Sequence, residues 1–181
     1  PKNIGGEGTM KNDKVRTAVL GGLLMALIAL ATAFLAFPIP GVSGAYINAG
    51  DGAVFAAAYL MPGAWGVAVS AIGSALADAI RGSFIYVPAT FVIKGCMALV
   101  AYLLFRVFKK KTGGILIALI VAGLVMPVGY FVYESILYGI PMAWVGVPFN
   151  MIQYAGGVVI GFLVIKGLAL IKDKIHQSPE D

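Results

Sequence analysis

The chain has 181 residues, of which 60% are hydrophobic and only 12% charged. With a mean hydropathy of +0.94 it is too apolar for a water-soluble domain and reads as a polytopic membrane protein. The formal charge of +5 reports membrane topology and contact with anionic headgroups, and no nucleic-acid partner is expected from it. One cysteine, Cys96, excludes an intrachain disulfide. Together with one distant histidine, His176, it also excludes a Cys/His metal site.

Taken in chain order, residues 1–9 are polar and glycine-rich and read as an expression remnant ahead of a native start at Met10. Residues 10–181 are expected to form a single domain. The first apolar span, residues 17–37, follows Lys11, Lys14 and Arg16 and lacks a convincing small-residue cleavage site, so it is expected to be a retained helix. Within it Ala18, Gly22 and Ala26 recur every four positions, a stripe along which another helix can approach closely. Residues 38–44 then form a loop rich in proline and glycine. Its Gly41-Val42-Ser43-Gly44 has the form used by intramembrane serine proteases, but that chemistry needs a general base beside the serine, and His176 lies in the polar tail.

A short apolar segment, residues 50–61, carries Asp51 and is separated by Pro62-Gly63 from a third span, residues 64–80, which carries Ser70, Ser74 and Asp78. Residues 81–86 form an irregular outer loop. Like residues 38–44, it reads either as a lid or as a plain connector. The fourth span, residues 87–105, holds Thr90 and Lys94, and the fifth and sixth cover residues 115–138 and 144–165. No phosphate-binding loop accompanies them, because Lys110 precedes Lys111-Thr112 where a glycine is required. ATP-driven work would therefore need a partner.

The fold class expected is all-α, with six transmembrane helices. Basic residues cluster before the first span, at Arg106 and Lys109 to Lys111 after the fourth, and at Lys166, Lys172 and Lys174 after the sixth. The positive-inside rule places all three clusters, and both termini, in the cytoplasm.

That topology brings the isolated charges Asp51, Asp78 and Glu134 toward the outer face, with Lys94 roughly 10 Å below it at 1.5 Å per helical residue. Charges at such depth are costly, so Lys94 is expected to pair with one of the three carboxylates. Helical spacing adds Tyr130, Glu134 and Tyr138 on one face of the fifth span and Asn150, Gln153, Tyr154 and Gly157 on one face of the sixth. Thr90 shares a face with Lys94. A cavity walled by these groups suits a small heteroaromatic, polyhydroxylated ligand. The competing reading makes the tyrosines and Trp144 an interfacial belt and the polar groups ties between helices. For Ser70 with Ser74, and Gly157 with Gly161, packing inside the bundle is the expected use.

Three segments together, Asn48-Ala-Gly-Asp51-Gly, Gly73-Ser-Ala-Leu-Ala-Asp78 and Pro88-Ala-Thr-Phe-Val-Ile-Lys94-Gly95, resemble the signature of the substrate-binding S components of energy-coupling factor (ECF) transporters. The likeness covers the whole native chain and is greatest to the branch for riboflavin, hydroxymethylpyrimidine and pyridoxine-type vitamins. It implies a bacterial cell-membrane subunit that is not an enzyme, needs no cofactor and takes a vitamin or vitamin precursor from outside. It also implies a transmembrane coupling subunit and two cytoplasmic ATPase subunits as partners. The substrate-binding set expected is Asn48, Asp51, Asp78, Tyr86, Thr90, Lys94, Tyr130, Glu134, Tyr138, Asn150, Gln153 and Tyr154. The family's helix-one alanine motif falls on Ala18, Gly22 and Ala26, departing from alanine at Gly22. A self-sufficient secondary transporter or channel for a small polar solute is the alternative; the inverted repeats common in such carriers are not evident.

Overall fold

A computed structural model describes residues 5–38 and 46–177. Among them the elements are α1 (Gly5–Phe34), β1 (Ala36–Pro38), β2 (Tyr46–Asn48), α2 (Gly50–Leu60), α3 (Trp65–Ile80), α4 (Val87–Val107), α5 (Thr112–Gly123), α6 (Val125–Tyr138) and α7 (Ile140–Gln177). The described residues are predominantly helical, as a chain with no water to satisfy its backbone requires. To the helices the structure adds one short antiparallel ribbon, in which Ala36 pairs with Asn48 and Pro38 with Tyr46. The loop expected over residues 38–44 lies outside the described residues from residue 39 on.

Among the described residues, four helical stretches are long and apolar enough to cross a membrane: Asp13–Phe34, Val87–Val107, Thr112–Tyr138 and Ile140–Ile171. Helix α3, with 16 residues, and α2, with 11, are shorter. The turn expected at Pro62-Gly63 joins these two, with Gly63 at φ +57°. The sequence reads residues 115–138 as one helix, whereas the structure divides that stretch at Leu124. The cause is Pro127, which has no N–H to offer the carbonyl of Gly123 four residues back.

Small residues set how closely the helices pack. A Cβ on Gly73 of α3 would stand 2.9 Å from the Met25 carbonyl oxygen of α1. On α7, a Cβ on Gly161 would stand 2.7 Å from the Phe55 ring and one on Gly157 2.8 Å from the Asp51 Cβ, so α2 and α7 meet almost backbone to side-chain root. Both glycines therefore pack inside the bundle. Ser70 and Ser74 are buried as well, the Ser70 hydroxyl donating to the Val54 carbonyl at 3.5 Å. Bulky side chains point the other way, with Leu23 66% and Ile136 77% exposed, which is the inversion expected where lipid replaces water.

The ends of the bundle differ in chemistry. At one end α4 runs into α5 through Arg106 and Lys109 to Lys111. There the Lys110 ammonium donates to the Tyr59 carbonyl at 2.6 Å and lies 4.1 Å from the Tyr59 ring centroid, closing the C-terminal turn of α2 with a cation. At the other end the last turn of α1, the start of α2, the end of α3, the start of α4, the end of α6 and the first half of α7 surround a cavity.

Because Gly157 is where α7 meets Asp51, Gly157→Val is expected to force α7 away from α2 and cost about 1–3 kcal/mol by overpacking. Thermal unfolding in detergent micelles should show a lowered midpoint; a midpoint equal to wild type would show that the contact is not tight.

Candidate functional site

The centre of the site is an ion pair. Lys94, from the second turn of α4, meets the Asp51 carboxylate in the first turn of α2, and both side chains are 3% exposed. Of the three carboxylates open as its partner, the structure thus selects Asp51. The other Asp51 oxygen accepts from the Gln153 side-chain amide of α7 at 3.2 Å. The Lys94 ammonium also lies 6.0 Å from the Tyr130 ring centroid, and the Tyr130 hydroxyl is 2.8 Å from that of Thr90. A negative side chain in the first turn of α2 is favoured by the helix dipole.

The entry of the chain into α2 is equally constrained. The Asn48 side-chain oxygen accepts from the Gly50 N–H at 2.6 Å, which satisfies one of the donors that a helix start leaves open. A Cβ on Gly50 would lie 1.8 Å from the Thr32 hydroxyl oxygen and 2.8 Å from the Asn48 oxygen, so only glycine lets α1, the ribbon and α2 converge here.

Above this floor lies a cavity of about 250 Å³, lined by Thr32, Asn48, Asp78, Arg81, Ser83, Tyr86, Thr90, Lys94, Tyr130, Glu134, Asn150 and Gln153. Asp78 faces Thr90, Lys94 and Arg81. Its Oδ2 is buried with no hydrogen-bond partner among the described residues. The Tyr86 hydroxyl donates to Glu134 at 3.5 Å. Burial, then Tyr138 and the Glu134 charge, push the Tyr86 phenol pKa well above its ordinary value, so it remains a neutral donor.

Of the residues expected at the site, Asn48, Asp78, Tyr86, Thr90, Lys94, Tyr130, Glu134, Asn150 and Gln153 line the cavity. Asp51 sits behind Lys94 as its counter-ion. Tyr138 lines a separate, shallower void of about 240 Å³ with Tyr86, Glu134, Met142, Val145, Gly146 and Phe149. Tyr154 is placed elsewhere: its ring packs on Gly123 and its hydroxyl donates to the Ile120 carbonyl of α5 at 3.1 Å. Thr32, Arg81 and Ser83 join the cavity wall from outside the expected substrate-binding set. Arg81 and Ser83 belong to the 81–86 segment, which is tied down by Ser83 N–H donating to the Asp78 carbonyl at 2.8 Å and turns through Gly82 at φ +75°. On α1, the stripe of Ala18, Gly22 and Ala26 faces outward, and a Cβ on Gly22 would meet nothing within 4 Å. Among the described residues no cluster of His, Cys, Asp and Glu is arranged to hold a metal ion.

Residues 12–170 match the family described as ECF-type riboflavin transporter, S component. An uncharacterised protein from the gap 3′ region of Pyrococcus woesei is 33% identical over 138 residues, covering 74% of this chain and 88% of its own. A thiamine precursor transporter, HmpT, of Lactococcus lactis subsp. cremoris is 26% identical over 160 residues, covering 88% of this chain and 89% of its own. A solved structure of the S component of a bacterial ECF transporter superposes with a TM-score of 0.71 at 22% identity, covering 87% of this chain and 98% of that one. The chain belongs to the ECF transporter S-component family, and it is a multi-pass membrane transport component rather than an enzyme.

Breaking the central pair on one side leaves the other charge buried. Lys94→Met is expected to destabilise the protein by about 3–5 kcal/mol, and adding Asp51→Asn to recover most of that loss. Unfolding midpoints of the single and double variants check this; a double variant no more stable than the single one would show that the Asp51 charge is not what the lysine neutralises.

Proposed function

We propose that the chain is the substrate-binding subunit of an ATP-driven ECF vitamin importer, crossing the cell membrane six times with both termini in the cytoplasm. In this reading it captures a small water-soluble vitamin or vitamin precursor from outside. It then passes the ligand inward with a transmembrane coupling subunit and two ATPase subunits, the whole S component tilting in the membrane. The observation that carries the reading is the polar, charged cavity at one end of an otherwise apolar bundle in a member of this family. The basic residues at the opposite end support a cytoplasmic placement there.

A hydroxymethyl-bearing ring of the hydroxymethylpyrimidine or pyridoxine type is favoured, with riboflavin next. Three features support that order. The cavity of about 250 Å³ is small, below the roughly 300–1,000 Å³ typical of sites for drug-sized ligands. Asp78 Oδ2, buried with no hydrogen-bond partner among the described residues, is an acceptor for a ligand N–H or O–H. A relative bears the name of a thiamine precursor transporter.

Mass spectrometry of small molecules released from the purified protein, followed by calorimetric titration, is expected to give one pyrimidine- or pyridoxine-type ligand per chain. Binding to none of the candidates, riboflavin included, would remove the vitamin-binding role. In proteoliposomes, sustained uptake is expected only with the coupling and ATPase subunits present, whereas accumulation driven by an ion gradient alone would make the chain a secondary carrier.

The outward stripe of Ala18, Gly22 and Ala26 on α1 is the proposed contact with the coupling subunit. Gly22→Leu meets open space within the chain, so it is expected to leave ligand affinity within about twofold of wild type while cutting ATP-dependent uptake by roughly tenfold or more. Loss of both together would assign Gly22 to the fold.

A further inference from the structure

The deep cavity of about 250 Å³ and the shallower void of about 240 Å³ share two lining residues, Tyr86 and Glu134. Their remaining walls differ in kind. The deep cavity presents Asp78, Lys94, Asn150 and Gln153, whereas the shallow one presents mainly apolar Met142, Val145 and Phe149, with Tyr138 as its polar member. The Tyr86 hydroxyl spans the boundary to Glu134 Oε1 at 3.5 Å.

Both members of this pair are braced by neighbouring residues, among them Tyr130 of the deep cavity's own wall. The Tyr86 ring lies 5.8 Å from that of Tyr133, edge to face, and 6.3 Å from that of Tyr130. Tyr133 in turn donates its hydroxyl to the carbonyl of Ile85, the residue before Tyr86, so α6 holds the turn from which Tyr86 projects. Glu134 is admitted by a glycine on α7: a Cβ on Gly146 would lie 2.6 Å from its Oε2. Three elements thus converge on one weak polar contact.

We infer that the Tyr86–Glu134 pair is a partition that limits ligand length. Closed, it confines the ligand to the deep polar cavity, which suits a single ring; withdrawn, it joins that cavity to the apolar void and admits a ligand with a second, apolar portion. Joined, the two voids fall within the roughly 300–1,000 Å³ of sites for larger ligands. A hydrogen bond at 3.5 Å is at the long limit of such bonds, so the aromatic bracing of Tyr86 supplies most of the closure. This inference rests on the proposed vitamin-binding role, and makes Tyr86 a specificity-determining residue within it.

The test is calorimetric titration of the full chain in detergent with hydroxymethylpyrimidine and with riboflavin, whose fused rings end in an apolar dimethylbenzene edge. Wild type is expected to prefer the pyrimidine. Tyr86→Ala is expected to shift the riboflavin-to-pyrimidine affinity ratio toward riboflavin by roughly tenfold or more, and Tyr86→Phe, which keeps the ring, by about threefold. An unchanged ratio, with both ligands weakening together, would make Tyr86 an ordinary wall contact and overturn the partition, as would a wild type that already prefers riboflavin. If the alanine variant does not fold, Tyr86→Phe and Glu134→Gln decide by the same ratio. Pyrimidine binding with an invariant ratio overturns the partition alone, whereas a wild type that binds neither ligand overturns the vitamin-binding role and the partition with it.

Discussion

Two opposite charges enclosed in a membrane bundle have to be held together, and the rest of this structure is arranged around that requirement. Lys94 and Asp51 are almost wholly removed from solvent, where either one alone would carry a desolvation penalty of several kcal/mol. Their contact needs α2 to begin at Gly50, so that Asp51 falls in the first turn, and α4 to present Lys94 from its second. It also needs α7 to approach without a side chain at Gly157 and to supply Gln153 for the second carboxylate oxygen. Three helices are thereby fixed in register by one pair. Ion pairs of this kind add less to net stability than to the choice of one arrangement over others, and here the arrangement chosen is the floor of the cavity.

The same constraint separates the parts of the molecule. Polar groups gather at the end where α1, α3 and α6 finish and α2 and α4 begin, and the intervening bundle is packed through Gly73, Gly157, Gly161 and buried alanines. Large apolar side chains are turned out toward lipid. The outer surface of α1 is the exception, since Gly22 leaves a shallow strip among exposed Leu23, Val19 and Leu27. A bundle whose interior is tied at one end and smooth outside can move as a unit without exposing its charges, which is what the proposed tilting asks of it.

The sequence carried much of this because intramembrane charges are rare and helical spacing is regular. Asp78, Lys94, Glu134, Asn150 and Gln153 were all visible as polar exceptions, and all line the cavity. Spacing identifies residues sharing a helix face, but it does not identify the neighbour that face meets, so Asp51 could not be singled out as the partner of Lys94. It also drifts: each four-residue step advances about 40° around the helix. Tyr130 and Glu134 accordingly face the deep cavity while Tyr138 turns to the shallow void. Gln153 and Tyr154 are about 100° apart, which sends one to Asp51 and the other to α5. Thr32 has no sequence signal, because a small hydroxyl is ordinary in a helix, whereas Arg81 and Ser83 lie in the 81–86 segment read as a lid or a connector. The break at Leu124 was available in Pro127 but is hidden by the apolar run on both sides.

The internal neutralisation of Lys94 determines what is left to recognise a ligand. Its ammonium is already committed to Asp51 and lies near the Tyr130 ring, so it stiffens the floor more than it supplies a free charge. In the proposed vitamin-binding role, the wall groups left to meet a ligand include Tyr86, Thr90, Asn150, Gln153 and Arg81 and the carboxylates of Asp78 and Glu134. Asp78 Oδ2 stands out among them in that role, since a buried acceptor with no partner among the described residues is a liability of about 1–3 kcal/mol that a ligand donor would relieve. A wall of this composition favours a ring that brings N–H or O–H donors. Donor placement around a short polar ring, together with the small volume that bounds the ring, is therefore the physical basis on which such a cavity would select its vitamin.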